Sequence, residues 1–161
     1  NGAEPSSRKG GGMEVLIDNQ QDLLTIPSAR LKKTAMAILN ALDCPDGELS
    51  LLIVDDDKIA PLNQQYRGRS GPTNVLAFSM NEGAFADIMP HLLGDVVISA
   101  ETCLKEAQSS GIDFDIHFTE LLIHGILHLF GYDHEISETE ERRMADKSEA
   151  ILQLLEKARQ I

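Results

Sequence analysis

His124-Gly-Ile-Leu-His128-Leu-Phe-Gly131-Tyr-Asp-His134 constrains this chain more than any other stretch. On a helix, residues at i and i+4 leave the same face one turn apart, so the first two imidazoles point together. Gly131 accepts the positive φ that commonly ends a helix, and the turn after it can return His134 toward the pair. Three neutral imidazoles with a fourth position open make a catalytic zinc site rather than a closed structural one. The chain has five histidines, and three of them fall in this run. The plainer reading, histidines placed on a helix by chance, leaves the helix-stop glycine between the second and third unexplained.

The same helix has a core to build. Leu121, Leu122, Ile123, Ile126, Leu127, Leu129 and Phe130 cover most of its circumference, and poor solvation there favours the neutral imidazole a metal needs. His117 lies seven residues before His124, near the same face; it is a fourth ligand or, the favoured reading, a hydrogen-bonding residue. His91 sits at a loop edge and is expected in solvent. The spacing is that of the metzincin proteases, but the position after the first histidine, where they carry the glutamate base, is Gly125. Any base must come from elsewhere, and Asp133 or a group of the substrate are the candidates. As alternatives, Asp133 orients an imidazole or is simply a turn residue.

Length and charge bound the rest. A chain of 161 residues is enough for one domain with a core of its own. No apolar run approaches the roughly eighteen residues of a membrane span. Residues 1–12 are polar and glycine-rich and read as a tag scar or a disordered tail, leaving 13–161 as a single domain. Cys44 and Cys103 share no ligand spacing and read as reduced thiols with a packing role. The net charge of −12 argues against binding nucleic acid by charge alone. From Asp133 to Glu149 seven acids face three bases, while residues 66–74 hold Arg67 and Arg69 with no acid. A polyanion is thus confined to a short basic strip.

Pattern and punctuation predict strands over 13–18, 48–54, 74–79 and 92–99, with 48–54 apolar enough for burial on both faces. Gly94 marks a bulge or a close approach. Helices are predicted over 28–42, 58–66, 100–109 and 114–130, with a last one from a capping box at Ser137-Glu-Thr-Glu140 to about Ala158. Asp55-Asp56-Asp57 reads as helix capping rather than a metal cluster. Pro61 is placed in a first turn, where it is tolerated, and residues 81–90 read as a loop. Four strands and five helices in mixed order predict an α+β fold, a small sheet covered by helices.

Three separated blocks resemble the YbeY family of metal-dependent rRNA-maturation endoribonucleases. They are the histidine run, Leu62-Asn-Gln-Gln-Tyr-Arg67-Gly with Pro72-Thr-Asn-Val-Leu-Ala-Phe78, and Leu93-Gly-Asp95-Val-Val-Ile-Ser. The resemblance implies a cytoplasmic single-strand-specific endoribonuclease acting in ribosomal RNA processing and small-subunit maturation. It implies a mixed four-stranded sheet related to the zincin architecture. Its metal ligands carry over to His124, His128 and His134, holding one zinc ion per chain, and its functional arginine to Arg67. RNA and the small ribosomal subunit with its proteins are the implied partners.

A guanidinium suits this chemistry because its planar fork can hold two phosphate oxygens. The plainer role for Arg67 is at a helix end, satisfying carbonyls. Arg69 is a phosphate contact or a solvated residue, and Asp95 supports the sheet edge. Imidazole also suits iron, nickel and copper. The competing readings are a non-catalytic ribosome-assembly factor with a structural metal and, more remotely, a metalloprotease-like hydrolase. A fourth ligand from His117 or Asp133 would favour the first; Gly125 stands against the second.

Overall fold

Side chains alternate between the two faces of a strand, so each apolar strand can serve two cores at once. A computed structural model of the chain describes residues 14–80 and 92–158. The strands are β1 (Glu14–Asn19), β2 (Glu48–Val54), β3 (Val75–Ser79) and β4 (Leu92–Ser99). The helices are α1 (Ser28–Ala41), α2 (Asp56–Arg67), α3 (Ala100–Ser110), α4 (Phe114–Leu129) and α5 (Glu138–Lys157). The expected tail at 1–12, the loop at 81–90 and His91 lie outside the described residues.

The sheet order is β1-β2-β4-β3. β1, β2 and β4 run parallel, and β3 pairs antiparallel to β4 as an edge strand. This is the α+β arrangement of a mixed four-stranded sheet with helices. Leu49, Leu51 and Ile53 of β2, with Leu93, Val96 and Ile98 of β4, enter the main core with α1, α4 and α5. The intervening side chains Leu52, Val54, Leu76 and Val97 meet only α2, through Ile59 and Leu62. β2 is therefore buried fully on one face, but on the other only Val54 is buried, while Ser50 and Leu52 are half-exposed. The expectation of burial on both faces holds only at that end, because one short helix cannot cover four strands.

Gly94 is both a bulge and a close approach. The β2–β4 register skips a residue, pairing Glu48 with Leu92 and Leu49 with Gly94. At Gly94 the backbone has φ +140°, and a Cβ there would lie 2.1 Å from the Phe78 carbonyl oxygen.

The acidic run divides its work. Asp55 caps α2, its carboxylate accepting the Lys58 N–H at 3.0 Å. Asp56 turns the other way and accepts from Ser99 Oγ at 2.6 Å, from the Thr102 hydroxyl, and from Lys105 Nζ at 3.1 Å. The Asp56 N–H in turn reaches Glu101 Oε1 at 3.0 Å. These bonds start α2 two residues before the expected Lys58, so Pro61 lies inside the helix rather than in its first turn. Pro61 has no N–H for the carbonyl four residues back, so α2 forgoes one hydrogen bond of its backbone there. At Ser137 half of the capping box forms. Ser137 Oγ accepts the Glu140 N–H at 3.1 Å, while the Glu140 carboxylate goes to Arg143 at 2.6 Å.

Both cysteines are free thiols. Cys103 sits fully buried in the core, and burial, with lesser contributions from Glu106, Glu120 and Asp115, pushes its pKa up to about 12, so it packs rather than reacts. Among the described residues no helix is long and apolar enough to cross a membrane.

Burial works to raise the Asp56 pKa, but its hydrogen bonds to Ser99, Thr102 and Lys105 outweigh that and hold it below the ordinary value. Its contribution to stability is present above the unfolded carboxylate range and lost as pH falls through the folded value. Asp56→Ala should cost about 2 kcal/mol at pH 7 in denaturant unfolding, and the gap from wild type should close below about pH 4.

Candidate metal centre

Helix α4 is buried at Leu121, Leu122, Ile123, Ile126, Leu127 and Leu129, leaving the His124–His128 face half-exposed at the rim of a groove. The helix ends as its sequence suggests. The Gly131 N–H bonds the His128 carbonyl at 3.0 Å and the Tyr132 N–H bonds the Leu127 carbonyl at 3.1 Å, with Gly131 at φ +96°. This pair of bonds is the Schellman motif, which satisfies the last carbonyls and reverses the chain. Asp133 then accepts the Glu135 N–H on Oδ1 at 2.9 Å, an Asx turn that completes the reversal. Asp133 thus serves the turn, one of its candidate roles.

The reversal delivers His134. Ring centroids are 4.9 Å apart for His124 and His128, 5.0 Å for His124 and His134, and 5.5 Å for His128 and His134. One ligand nitrogen from each lies within 4.8 Å of the others. Burial first, then the neighbouring His128, His134 and Arg67, lowers the His124 pKa to about 4. Burial, followed by His134 and Arg67, lowers His128 as well. Both are neutral at pH 7, the state that can donate a lone pair. The buried Nδ1 of His134 has no hydrogen-bond partner among the described residues. Three converging imidazoles, two of them held neutral and the third with its Nδ1 unsatisfied, fit a divalent cation.

The edge strand β3 forms one wall of the groove, and the end of α2 forms its rim. Arg67 is the last residue of α2, and its guanidinium reaches Glu135 Oε2 at 3.0 Å; Arg69 meets the same oxygen at 3.4 Å. That oxygen lies 3.8 Å from His134 Nε2. The α2 carbonyls are served instead by the Gly68 and Arg69 N–H groups, which bond Gln64 and Asn63. The plainer helix-end role is therefore not where the Arg67 side chain goes. Asn63 also donates its amide to the Gly71 carbonyl at 2.9 Å and so fixes the loop that carries Arg69.

Glu135 is the residue the sequence reading missed. It stands 68 positions from Arg67, and nothing local couples the two. His117 is not among the converging imidazoles. Its Nε2 meets Glu106 at 2.8 Å and its Nδ1 meets Glu120 at 2.9 Å. Burial would lower its pKa, but these two carboxylates outweigh it and the pKa is raised. His117 thus takes the favoured hydrogen-bonding role. Asp95 lies on the opposite face of the sheet from the histidines.

Gly125 has a packing reason. A Cβ at this position would sit 2.6 Å from Val96 Cγ1 and 3.2 Å from Val75 Cγ2. The helix rests directly on β3 and β4 there, leaving no room for the glutamate a metzincin carries.

A profile of the family described as Endoribonuclease YbeY matches residues 16–156. The chain belongs to the YbeY family. Its YbeY relatives include the Endoribonuclease YbeY of Geobacter sulfurreducens, 49% identical over 89% of this chain and 97% of that protein. The Endoribonuclease YbeY of Geobacter metallireducens is 47% identical over 90% of this chain and 97% of its own length. The solution structure of TM1509 from Thermotoga maritima shares the fold, with a TM-score of 0.63 and 26% identity over 90% of this chain and 91% of that one. The YbeY match spans all three sequence blocks and the described groove.

Two outcomes are expected of this site. Gly125→Ala gains helix propensity but overpacks the contact with Val96, so a net loss of about 1–3 kcal/mol is expected in denaturant unfolding. The lowered pKa of His124 means that the unfolded chain takes its proton near pH 6.5 and the folded one only near 4. Its stabilisation is therefore present above pH 6.5 and lost as pH falls toward 4. Chelator-treated wild type should lose stability across that interval more steeply than His124→Asn, measured side by side by chemical denaturation.

Proposed function

We propose that this YbeY-family protein is a zinc-dependent, single-strand-specific endoribonuclease of ribosomal RNA processing and small-subunit maturation. It works in the cytoplasm as one domain over residues 13–161. The observation that supports it best is the meeting of three imidazoles with two guanidiniums in a single groove. His124, His128 and His134 hold one ion. When bound, zinc supplies a Lewis acid that polarises an oxygen and lowers the pKa of water. Its preference over other transition metals rests on the donor set of three imidazoles.

The chain's own residues do the positioning. Phosphodiester cleavage concentrates negative charge on the non-bridging oxygens, and Arg67 is set to receive it across the groove from the histidines. A phosphate entering the groove replaces the Glu135 carboxylate between Arg67 and Arg69, so the arginines are already held in place before substrate arrives. Arg69 assists by charge and is 60% exposed, against 31% for Arg67. Exclusion of a glutamate at position 125 removes the base of a peptidase, which argues against a protease. With a net charge of −12, docking on the basic proteins of the small subunit contributes much of the affinity for the ribosomal substrate.

The deciding experiment is cleavage of a single-stranded rRNA-like oligonucleotide by zinc-loaded protein beside His128→Ala and Arg67→Ala, with bound zinc measured in each. Wild type should cut and carry one zinc, and His128→Ala should lose both. Arg67→Ala should keep the metal and lose about a hundredfold or more in kcat. Equal cutting by wild type and His128→Ala would mean a contaminating nuclease. No cutting by zinc-loaded wild type would replace the nuclease reading with that of an assembly factor.

A further inference from the structure

A chain of net charge −12 with a nuclease groove must gain RNA affinity from something besides phosphate contacts. Arg67 and Arg69 already share one carboxylate. The described residues leave one large aromatic side chain in solvent: Tyr66, 58% exposed, immediately before Arg67. Its ring packs edge-on against Phe78, with centroids 5.0 Å apart and planes at 70°. Phe78 is itself half-buried against the smaller core under α2, so it holds the Tyr66 ring from behind.

The pair stands at a boundary. Tyr66 and Phe78 line the groove that contains the three histidines. The same two rings line a second hollow on the far face of the sheet, walled by Leu16, Leu52 and Leu62 with Asp18 and Asp95 at its edges. Leu16 is 57% exposed there, which adds to an apolar surface that water disfavours.

We propose that the Tyr66–Phe78 ridge is a nucleobase-stacking subsite for the single strand as it leaves the metal groove. The inference rests on the nuclease reading above and deepens it. Carboxylates in the hollow repel phosphate, yet they accept hydrogen bonds from exocyclic amines, so the occupant is the base and not the backbone. Stacking on an aromatic face needs no positive charge and tolerates any base. It also selects single strands, because the bases of a duplex already stack on one another.

The test uses zinc-loaded wild type, Tyr66→Phe and Tyr66→Ala with a single-stranded oligoribonucleotide carrying 2-aminopurine beside the cleavage position. Rapid-mixing fluorescence reads stacking directly. Wild type and Tyr66→Phe should quench the probe, and Tyr66→Ala should not. Affinity should fall about 5- to 150-fold in Tyr66→Ala and stay near wild type in Tyr66→Phe. Removing the contacted base from the oligonucleotide should weaken wild type but add little further loss to Tyr66→Ala. Normal zinc content in Tyr66→Ala would show that the metal site is intact. Cleavage and quenching by Tyr66→Ala equal to wild type would overturn the subsite alone and leave the ridge to a protein partner. Equal losses in Tyr66→Phe and Tyr66→Ala would overturn stacking in favour of a hydroxyl contact. Failure of wild type to bind or cut would overturn the nuclease reading and this inference with it.

Discussion

At Gly125 helix α4 puts no side chain of its own between its backbone and Val75 and Val96 of the sheet, and the arrangement of the groove depends on that contact. A Cβ there would strike Val96 and crowd Val75, so the glycine sets how deeply the helix sits on β3 and β4. Depth decides what the next turn can do. With Ile126 and Leu127 fully buried, the His124–His128 face is carried to the level of the edge strand, half-exposed and poorly solvated. Poor solvation keeps those imidazoles neutral. The glycine that makes the close packing possible thus also conditions the imidazoles on either side of it, and in the same stroke removes the acid–base residue of a peptidase.

Charge is distributed so that the groove escapes the acidity of the chain. Much of the negative charge in the C-terminal third is spent on helix α5, whose first turn carries Glu138, Glu140 and Glu141. Arg143 stacks over Tyr132 at 4.1 Å while it pairs with Glu140, so this arginine braces the turn that follows Gly131. Glu135 is the exception, lying between two arginines at the mouth of the groove. Its carboxylate marks where an anionic oxygen is stabilised, which is where a phosphate would go. His117 belongs to a separate network in which Glu106 also accepts from the Asn74 amide at 3.1 Å. That network ties α3 and α4 to the start of β3, and so supports one wall of the groove without entering it.

Much of the fold was legible because its signals are local. Every strand and helix lies within two residues of its expected bounds. The helix stop at Gly131 was legible from residue type, and so was the capping role of the run Asp55-Asp56-Asp57, though not which of its three members is the cap. Errors arose where a residue answers to a distant partner. Pro61 falls inside α2 because Asp56 is drawn to Ser99 and Thr102, more than forty positions away. The second face of β2 stays partly open because only α2 is available to cover it. Glu135 carried no signal at all, since its partners come from the end of α2 and the loop after it, more than sixty positions away.

The sequence by itself determined the histidine spacing, the helix that holds two of them and the reversal that returns the third. These follow from backbone dihedrals and from a period of about 3.6 residues per turn, and need only neighbours along the chain. Only the tertiary structure decided that Arg67 and Arg69 close over His134 through Glu135, that Gly125 exists for Val96, and that Tyr66 and Phe78 form one ridge. Such meetings depend on which faces bury together across the whole chain. That outcome is set by the sum of many weak contacts, which no single stretch of residues encodes.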